Sequence, residues 1–173
     1  MRGRPRRRPP SRSSPMAPRS AYDVSIEVTV DSPQVDLDAV RALALRVMAG
    51  EVVPTGTALA ILLTDDATMR ELNRQFLGVD EPTDVLSFPD ETGDFIQGIE
   101  VPRLLGDIAI ALPLAAEQAR GLGHPLDAEV AHLLTHGILH LCGYDHVEGG
   151  DDEARMRARE EHYLGDLGAA HGH

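Results

Sequence analysis

Apolar residues recur along this chain at two spacings, and each spacing predicts one type of secondary structure. The stretch VSIEVTV, residues 24–30, alternates apolar and polar residues, which is the period of a half-buried strand. Short aliphatic runs predict further strands over residues 58–63, 85–88 and 107–112. Apolar residues three and four apart predict helices over residues 36–48, 65–76, 113–121, 126–142 and 151–167.

The order of these elements predicts the fold class. Strands interleaved with helices in one short chain indicate a single compact α+β domain built on a mixed β-sheet. The helix over residues 126–142 is apolar nearly all round, so we expect it to be buried at the centre of the domain. The first 20 residues are mostly Arg, Pro and Ser, with little to bury. We therefore expect a disordered tail over 1–20, a folded domain over 21–168 and a frayed C-terminus over 169–173.

Charge is divided unevenly between this tail and the rest of the chain. The formal net charge is −12, but residues 1–20 hold seven arginines and no acid, so the remainder carries nine arginines against 28 acids, or −19. Such a body has no broad attraction for nucleic acid, and any phosphate contact must come from a few placed arginines, a metal or the tail. Two interpretations of the tail remain: a basic arm for RNA, or an upstream extension without a role, with Met16 as the true start. We favour the second.

Cysteine content and hydropathy bear on the compartment. Cys142 is the only cysteine, which excludes an internal disulfide framework and is consistent with a reducing environment. No apolar run approaches the length of a membrane span. We expect a cytoplasmic protein that makes no membrane contact.

Histidines on the apolar helix and after the turn that follows it carry the candidate chemistry. His132, His136 and His140 lie at i, i+4 and i+8, and two imidazoles one turn apart can share one metal ion. Gly143 is placed to end the helix and let the chain turn back, which brings His146 towards the helix end. His136, His140 and His146 therefore form a predicted zinc site, with one Zn²⁺ per chain and a fourth position left open for water.

Several neighbouring residues have less demanding interpretations. A site with an open position does not need His132, so we expect it to have a structural or supporting role. Cys142 points away from the histidine stripe and is expected to pack, and His171 and His173 are expected to be solvated. Gly137 occupies the position where an H-E-x-x-H peptidase has its glutamate base, which weighs against a zinc peptidase.

The segment from His136 to His146, HGILHLCGYDH, resembles the H-G-x-L-H-L-x-G-Y-D-H signature of the YbeY family. That family comprises zinc-dependent single-strand endoribonucleases of ribosomal RNA maturation. Other segments that resemble the family are residues 71–73 (ELN), 82–89 (PTDVLSFP), 106–108 (GDI) and 123–124 (GH). The likeness extends from about residue 24 to 168. It implies a single α+β domain in which His136, His140 and His146 bind zinc.

The resemblance also implies a function. We expect a metal-dependent endoribonuclease that is specific for single strands and acts in ribosomal RNA maturation and ribosome quality control. Its partners would be single-stranded or ribosomal RNA and the small ribosomal subunit with its associated proteins. The alternatives are a ribosome-associated assembly factor with a structural zinc, and a zinc hydrolase of a non-RNA substrate.

Residues beyond the zinc ligands are less firmly indicated. His124 is a candidate proton donor or phosphate contact, with packing at the helix entry as the equal alternative. Asp145, and more weakly Asp107, are candidates for orienting a ligand imidazole. The family usually has an arginine at the position of Leu77, where it would meet RNA near the metal, and this chain lacks it. Arg74, one turn earlier, is the candidate substitute, although it points in a different direction around the helix.

Overall fold

A four-stranded sheet lies at the centre of the fold, flanked by five helices. The computed structural model describes residues 21–31, 35–89, 104–144 and 151–170. The strands are β1 (Asp23–Val28), β2 (Ala58–Thr64), β3 (Val85–Pro89) and β4 (Leu104–Ala111). The helices are α1 (Leu37–Gly50), α2 (Asp66–Leu77), α3 (Leu112–Leu122), α4 (Leu126–Leu141) and α5 (Asp151–Ala170). The predicted tail over 1–20 and the segment 90–103 lie outside the described residues.

The strand order is β1-β2-β4-β3, with both parallel and antiparallel pairs. β1 and β4 each run parallel to β2, whereas β3 runs antiparallel to β4. The register aligns Ile61 of β2 with Ile26 on one side and Ile108 on the other. The mixed sheet and the single α+β domain are therefore confirmed.

The two faces of the sheet bury unequal amounts of apolar surface. Leu59, Ile61 and Leu63 alternate along β2 and point into the main core, which α1 and α4 cover. On the other face, Met69 of α2 packs with Leu86 and Ala109 in a smaller cluster. None of the described helices is long and apolar enough to cross a lipid bilayer.

Helix α4 lies against the sheet, as its apolar sequence predicts. Val130, Leu134, Ile138 and Leu139 are at most 1% exposed. Gly137 allows the close contact, because a Cβ at this position would lie 3.1 Å from the Cδ1 atom of Ile108 in β4. A larger residue at position 137 would require the Ile108 side chain or the helix to shift by a few tenths of an ångström.

The ends of the elements follow local chemistry, and two of them deviate from prediction by three residues. The side chains of Asp36 and Asp65 cap α1 and α2 by accepting hydrogen bonds from backbone N–H groups. Gly78 ends α2 with a φ of 75°. Strand β4 begins at Leu104, three residues before the predicted start, because Gly106 still pairs with β2 and β3. Helix α5 continues to Ala170, three residues past its predicted end, with a non-helical residue at Gly165.

A buried carboxylate joins three helices at one point. Glu51 caps the C-terminus of α1, and its side chain is only 7% exposed. Its oxygens accept hydrogen bonds from Tyr144 Oη at 2.9 Å, Tyr163 Oη at 2.5 Å and Arg159 Nε at 2.9 Å. Burial alone would raise the pKa of Glu51, but the bonds from the tyrosines and Arg159 outweigh it and hold that pKa below its ordinary value. The ionised carboxylate thus fixes α5 and the end of α4 to α1.

We expect Glu51→Gln to lower the free energy of unfolding by about 2 kcal/mol at neutral pH, because an amide replaces a charged acceptor of three hydrogen bonds. The folded-state pKa of Glu51 is lowered from 4.5, so its stabilising effect is present above that pH and is lost as pH falls through the folded-state value. The difference between variant and wild type should therefore shrink on acidification. Urea unfolding followed by circular dichroism at several pH values measures both effects.

Glu161→Gln, on the exposed side of α5, is the matched control. A deficit that does not change with pH would contradict the assignment.

Candidate metal centre

Helix α4 presents three half-buried histidines along one face, beside a largely buried apolar surface. The ring centroids of His132 and His136 are 6.5 Å apart, and those of His136 and His140 are 4.9 Å apart with an interplanar angle of 73°. The predicted stripe is therefore present, and the rings of His136 and His140 are in edge contact. This spacing places the His136 and His140 rings close enough to bind one ion, whereas His132 lies a turn further away.

A carboxylate on α5 contacts the central histidine. Oε2 of Glu160 lies 2.7 Å from Nδ1 of His136, and the Glu160 side chain is only 14% exposed. Burial by itself raises the pKa of Glu160, but the hydrogen bond from His136 and the neighbouring positive charges hold it below its ordinary value. The carboxylate is therefore ionised at neutral pH and acts only as an acceptor.

Glu160 was missed in the sequence analysis, although the sequence contains a signal for it. Met156, Glu160 and Leu164 are spaced by four along α5, and both flanking residues are buried. Glu160 is thus a carboxylate on the inward face of an amphipathic helix, where a charge needs a partner. What the sequence does not show is the identity of that partner, 24 residues earlier in the chain.

The third predicted ligand, His146, and the neighbouring Asp145 lie outside the described residues, as do His171 and His173. Within the ranges that the structure describes, no group of three or more His, Cys, Asp or Glu side chains is arranged to hold a metal ion. The structure therefore brings His136 and His140 together, and the complete three-histidine site stays a prediction.

The buried environment of His124 differs from that of a substrate-facing residue. Its Nε2 lies 2.9 Å from Oε1 of Glu129, and the two side chains are 3% and 6% exposed. Pro125 and Leu126 follow immediately, so the pair sits where the chain enters α4. This geometry favours the helix-entry packing alternative over a contact with phosphate. Glu129 was not singled out from the sequence, because one acid in the first turn of a helix is common.

Known proteins match this chain over most of its length. The family model described as Endoribonuclease YbeY matches residues 25–168. The chain belongs to the YbeY family. The Endoribonuclease YbeY of Chloroflexus aggregans is 47% identical over 147 residues, which cover 83% of this chain and 96% of that protein. That of Aquifex aeolicus is 45% identical over 114 residues, which cover 65% of this chain and 71% of that protein.

A solved structure supports the fold alone. The solution structure of TM1509 from Thermotoga maritima superposes with a TM-score of 0.55 at 24% sequence identity. The match covers 85% of this chain and 93% of that chain.

The end of α2 carries the position at which the family resemblance led us to expect an arginine. Leu77 is the last residue of the helix, and 59% of it is exposed to solvent. Nη2 of Arg74 lies 2.5 Å from Oε2 of Glu71, and both side chains are more than half exposed. A surface ion pair of this kind is weak and easily exchanged for another partner. Arg74 is thus a solvent-accessible cation that is held by a neighbouring acid.

The structure bears differently on the predicted roles of two further residues, Cys142 and Asp107. Burial and the nearby Glu51 raise the pKa of the Cys142 thiol to about 11, so it is uncharged at neutral pH, in line with a packing role. Asp107 is exposed on β4, where it pairs in register with Phe88 of β3. Its suggested orienting role is not tested by the structure.

We expect His124→Ala and Glu129→Ala each to lower the free energy of unfolding by about 3 kcal/mol, because either change leaves a buried polar group without its partner. The double variant should lose much less than the sum of the two losses, since the groups interact directly. Chemical denaturation of the four proteins in a double-mutant cycle measures this coupling. Additive losses, or a His124→Ala protein of normal stability, would instead support a role for His124 at the substrate.

Proposed function

We propose that this protein is a zinc-dependent endoribonuclease that cleaves single-stranded RNA, and that His136, His140 and His146 hold the metal. The observation that carries the proposal is the edge contact between His136 and His140, with ring centroids 4.9 Å apart on a helix that is otherwise largely buried. The relatives that are named Endoribonuclease YbeY support the reaction class.

The described residues fit a zinc ion in their chemistry. Glu160 accepts the hydrogen bond that joins it to His136. A neutral His136 must therefore carry its proton on Nδ1. The lone pair then belongs to Nε2, which is the form of imidazole that binds zinc. A zinc ion bound here would supply Lewis-acid polarisation of a phosphoryl oxygen and a lowered pKa for a bound water.

The protein's own residues prepare this site in two ways. Burial of Leu134, Ile138 and Leu139 fixes the rotation of α4, so the histidines face outward together. Gly137 keeps the helix against Ile108 and, unlike the glutamate of a zinc peptidase, offers no general base. This composition favours a phosphodiester substrate over a peptide.

We further propose that the substrate is ribosomal RNA during maturation and quality control, with the small ribosomal subunit as the partner that presents it. The family resemblance supports this assignment. The charge of the chain is also consistent with it, because a body of −19 after the first 20 residues attracts free RNA poorly. RNA that is already held in a ribosomal particle does not depend on such attraction.

A second candidate function is supported by one specific observation. The exposed Leu77 offers neither a charge nor a hydrogen-bond donor where the family pattern has an arginine. A ribosome-associated assembly factor with a structural zinc would not need that arginine. RNA cleavage distinguishes the two functions, since an assembly factor would bind zinc and leave RNA intact.

Purified protein should carry about one zinc per chain, because three imidazoles provide three of the four tetrahedral positions. We expect His140→Ala to lose most of this zinc and His132→Ala to keep it. Metal analysis of the three proteins after dialysis gives the stoichiometry. Equal zinc loss in the two variants would show that the site uses a different part of the histidine stripe.

Cleavage of single-stranded RNA should be slow in the wild type and faster in Leu77→Arg. An arginine there would place a planar donor near a phosphate that gains negative charge, and loss of one such donor typically costs about 3 kcal/mol, or 100-fold to 1,000-fold in rate. Arg74→Ala should slow cleavage if that residue substitutes. Single-turnover rates at equal zinc content test both variants, with Arg70→Ala, which removes an arginine paired with Asp80, as the control. If neither change alters the rate of an active enzyme, no arginine clamp operates at this end of α2.

A further inference from the structure

We propose that Glu160 is a positioning residue for the metal site, whose carboxylate holds the His136 imidazole with Nδ1 protonated and Nε2 directed to the metal. The inference rests on the proposed zinc site and extends it to a residue on another helix. The contact that supports it joins two described side chains, Oε2 of Glu160 and Nδ1 of His136, at 2.7 Å.

The backbone that carries Glu160 is held firmly in place. Arg159, its direct neighbour, and Tyr163, one turn later, both bind the buried carboxylate of Glu51. Arg159 also donates to Tyr163 Oη at 2.8 Å, so the two residues brace each other. Met156 and Leu164, one turn before and one turn after Glu160 on the same helix, are both buried. The carboxylate therefore acts from a fixed position and not from a mobile surface side chain.

The position of Glu160 also limits what else it can do. Its side chain is 14% exposed, and that of His136 is 29% exposed, so the hydrogen bond is partly shielded from water. Shielding strengthens a charge-assisted hydrogen bond and makes its loss more costly. A carboxylate in this arrangement fixes both the tautomer and the plane of the ring, and it increases the basicity of the opposite nitrogen.

An alternative role for Glu160 is that of a metal ligand through its own oxygen. The two roles differ in what a glutamine would do. The carbonyl oxygen of glutamine still accepts a hydrogen bond from Nδ1, whereas a neutral amide is a poor replacement for a carboxylate ligand. Glu160→Gln therefore separates positioning from ligation, and Glu160→Ala removes both.

The experiment measures zinc affinity by competition with a chromophoric chelator for wild type, Glu160→Ala, Glu160→Gln and the control Glu161→Ala. We expect Glu160→Ala to weaken zinc binding about 10-fold to 100-fold, as is typical when a carboxylate partner of a ligand histidine is removed. Glu160→Gln should retain most of the affinity, and Glu161→Ala, on the exposed side of α5, should match wild type. An unchanged affinity in Glu160→Ala, or equal losses in the Ala and Gln variants, would overturn the inference.

A second measurement needs no substitution at Glu160. Long-range ¹H–¹⁵N spectra of the metal-free wild type should show neutral His136 as the Nδ1-protonated tautomer, with His136→Gln used to assign its signals. The opposite tautomer would overturn the inference even if a Glu160 variant failed to fold. Failure of the proposed zinc site has a different signature. Either the wild type would then bind no zinc, or His140→Ala would bind zinc as well as the wild type does.

Discussion

The burial of α4 against the sheet is the constraint on which the candidate site depends. Val130, Leu134, Ile138 and Leu139 fix the rotation of the helix, and Gly137 lets it approach Ile108 closely. Because buried apolar residues cover most of the helix circumference, the three histidines lie together on a half-buried stripe of α4. The proposed metal site thus depends on core packing, and a change that rotates α4 would move His136 away from Glu160 of α5 without altering either side chain.

Helix α5 completes this arrangement through charge and not through apolar area alone. Glu51 accepts hydrogen bonds from residues at the end of α4 and on α5, and its own pKa is held low by those bonds. Removing one member of such a cluster leaves the others buried without partners, which makes the cluster specific as well as stabilising. The same helix brings Glu160 to His136, so one element supports both the fold and the proposed metal site.

Local patterns predicted the elements that depend on local chemistry. The spacing of apolar residues predicted all nine described helices and strands. The first residues of β4 were not predicted, because they belong to the sheet through pairing with distant strands and not through their own composition. Long-range partners could not be read in the same way. His124 with Glu129 and His136 with Glu160 are pairs whose geometry exists only after the helices have packed.

The central claim, that a zinc ion in this chain is catalytic, is tested most directly by titrating zinc into metal-free protein. Bound zinc and single-turnover cleavage of single-stranded RNA would be measured on the same preparation. We expect cleavage to rise in proportion to bound zinc and to stop rising at about one equivalent, since one three-histidine site with an open position accounts for the activity. Full zinc binding without cleavage, or cleavage that is equally fast in metal-free protein, would contradict the claim.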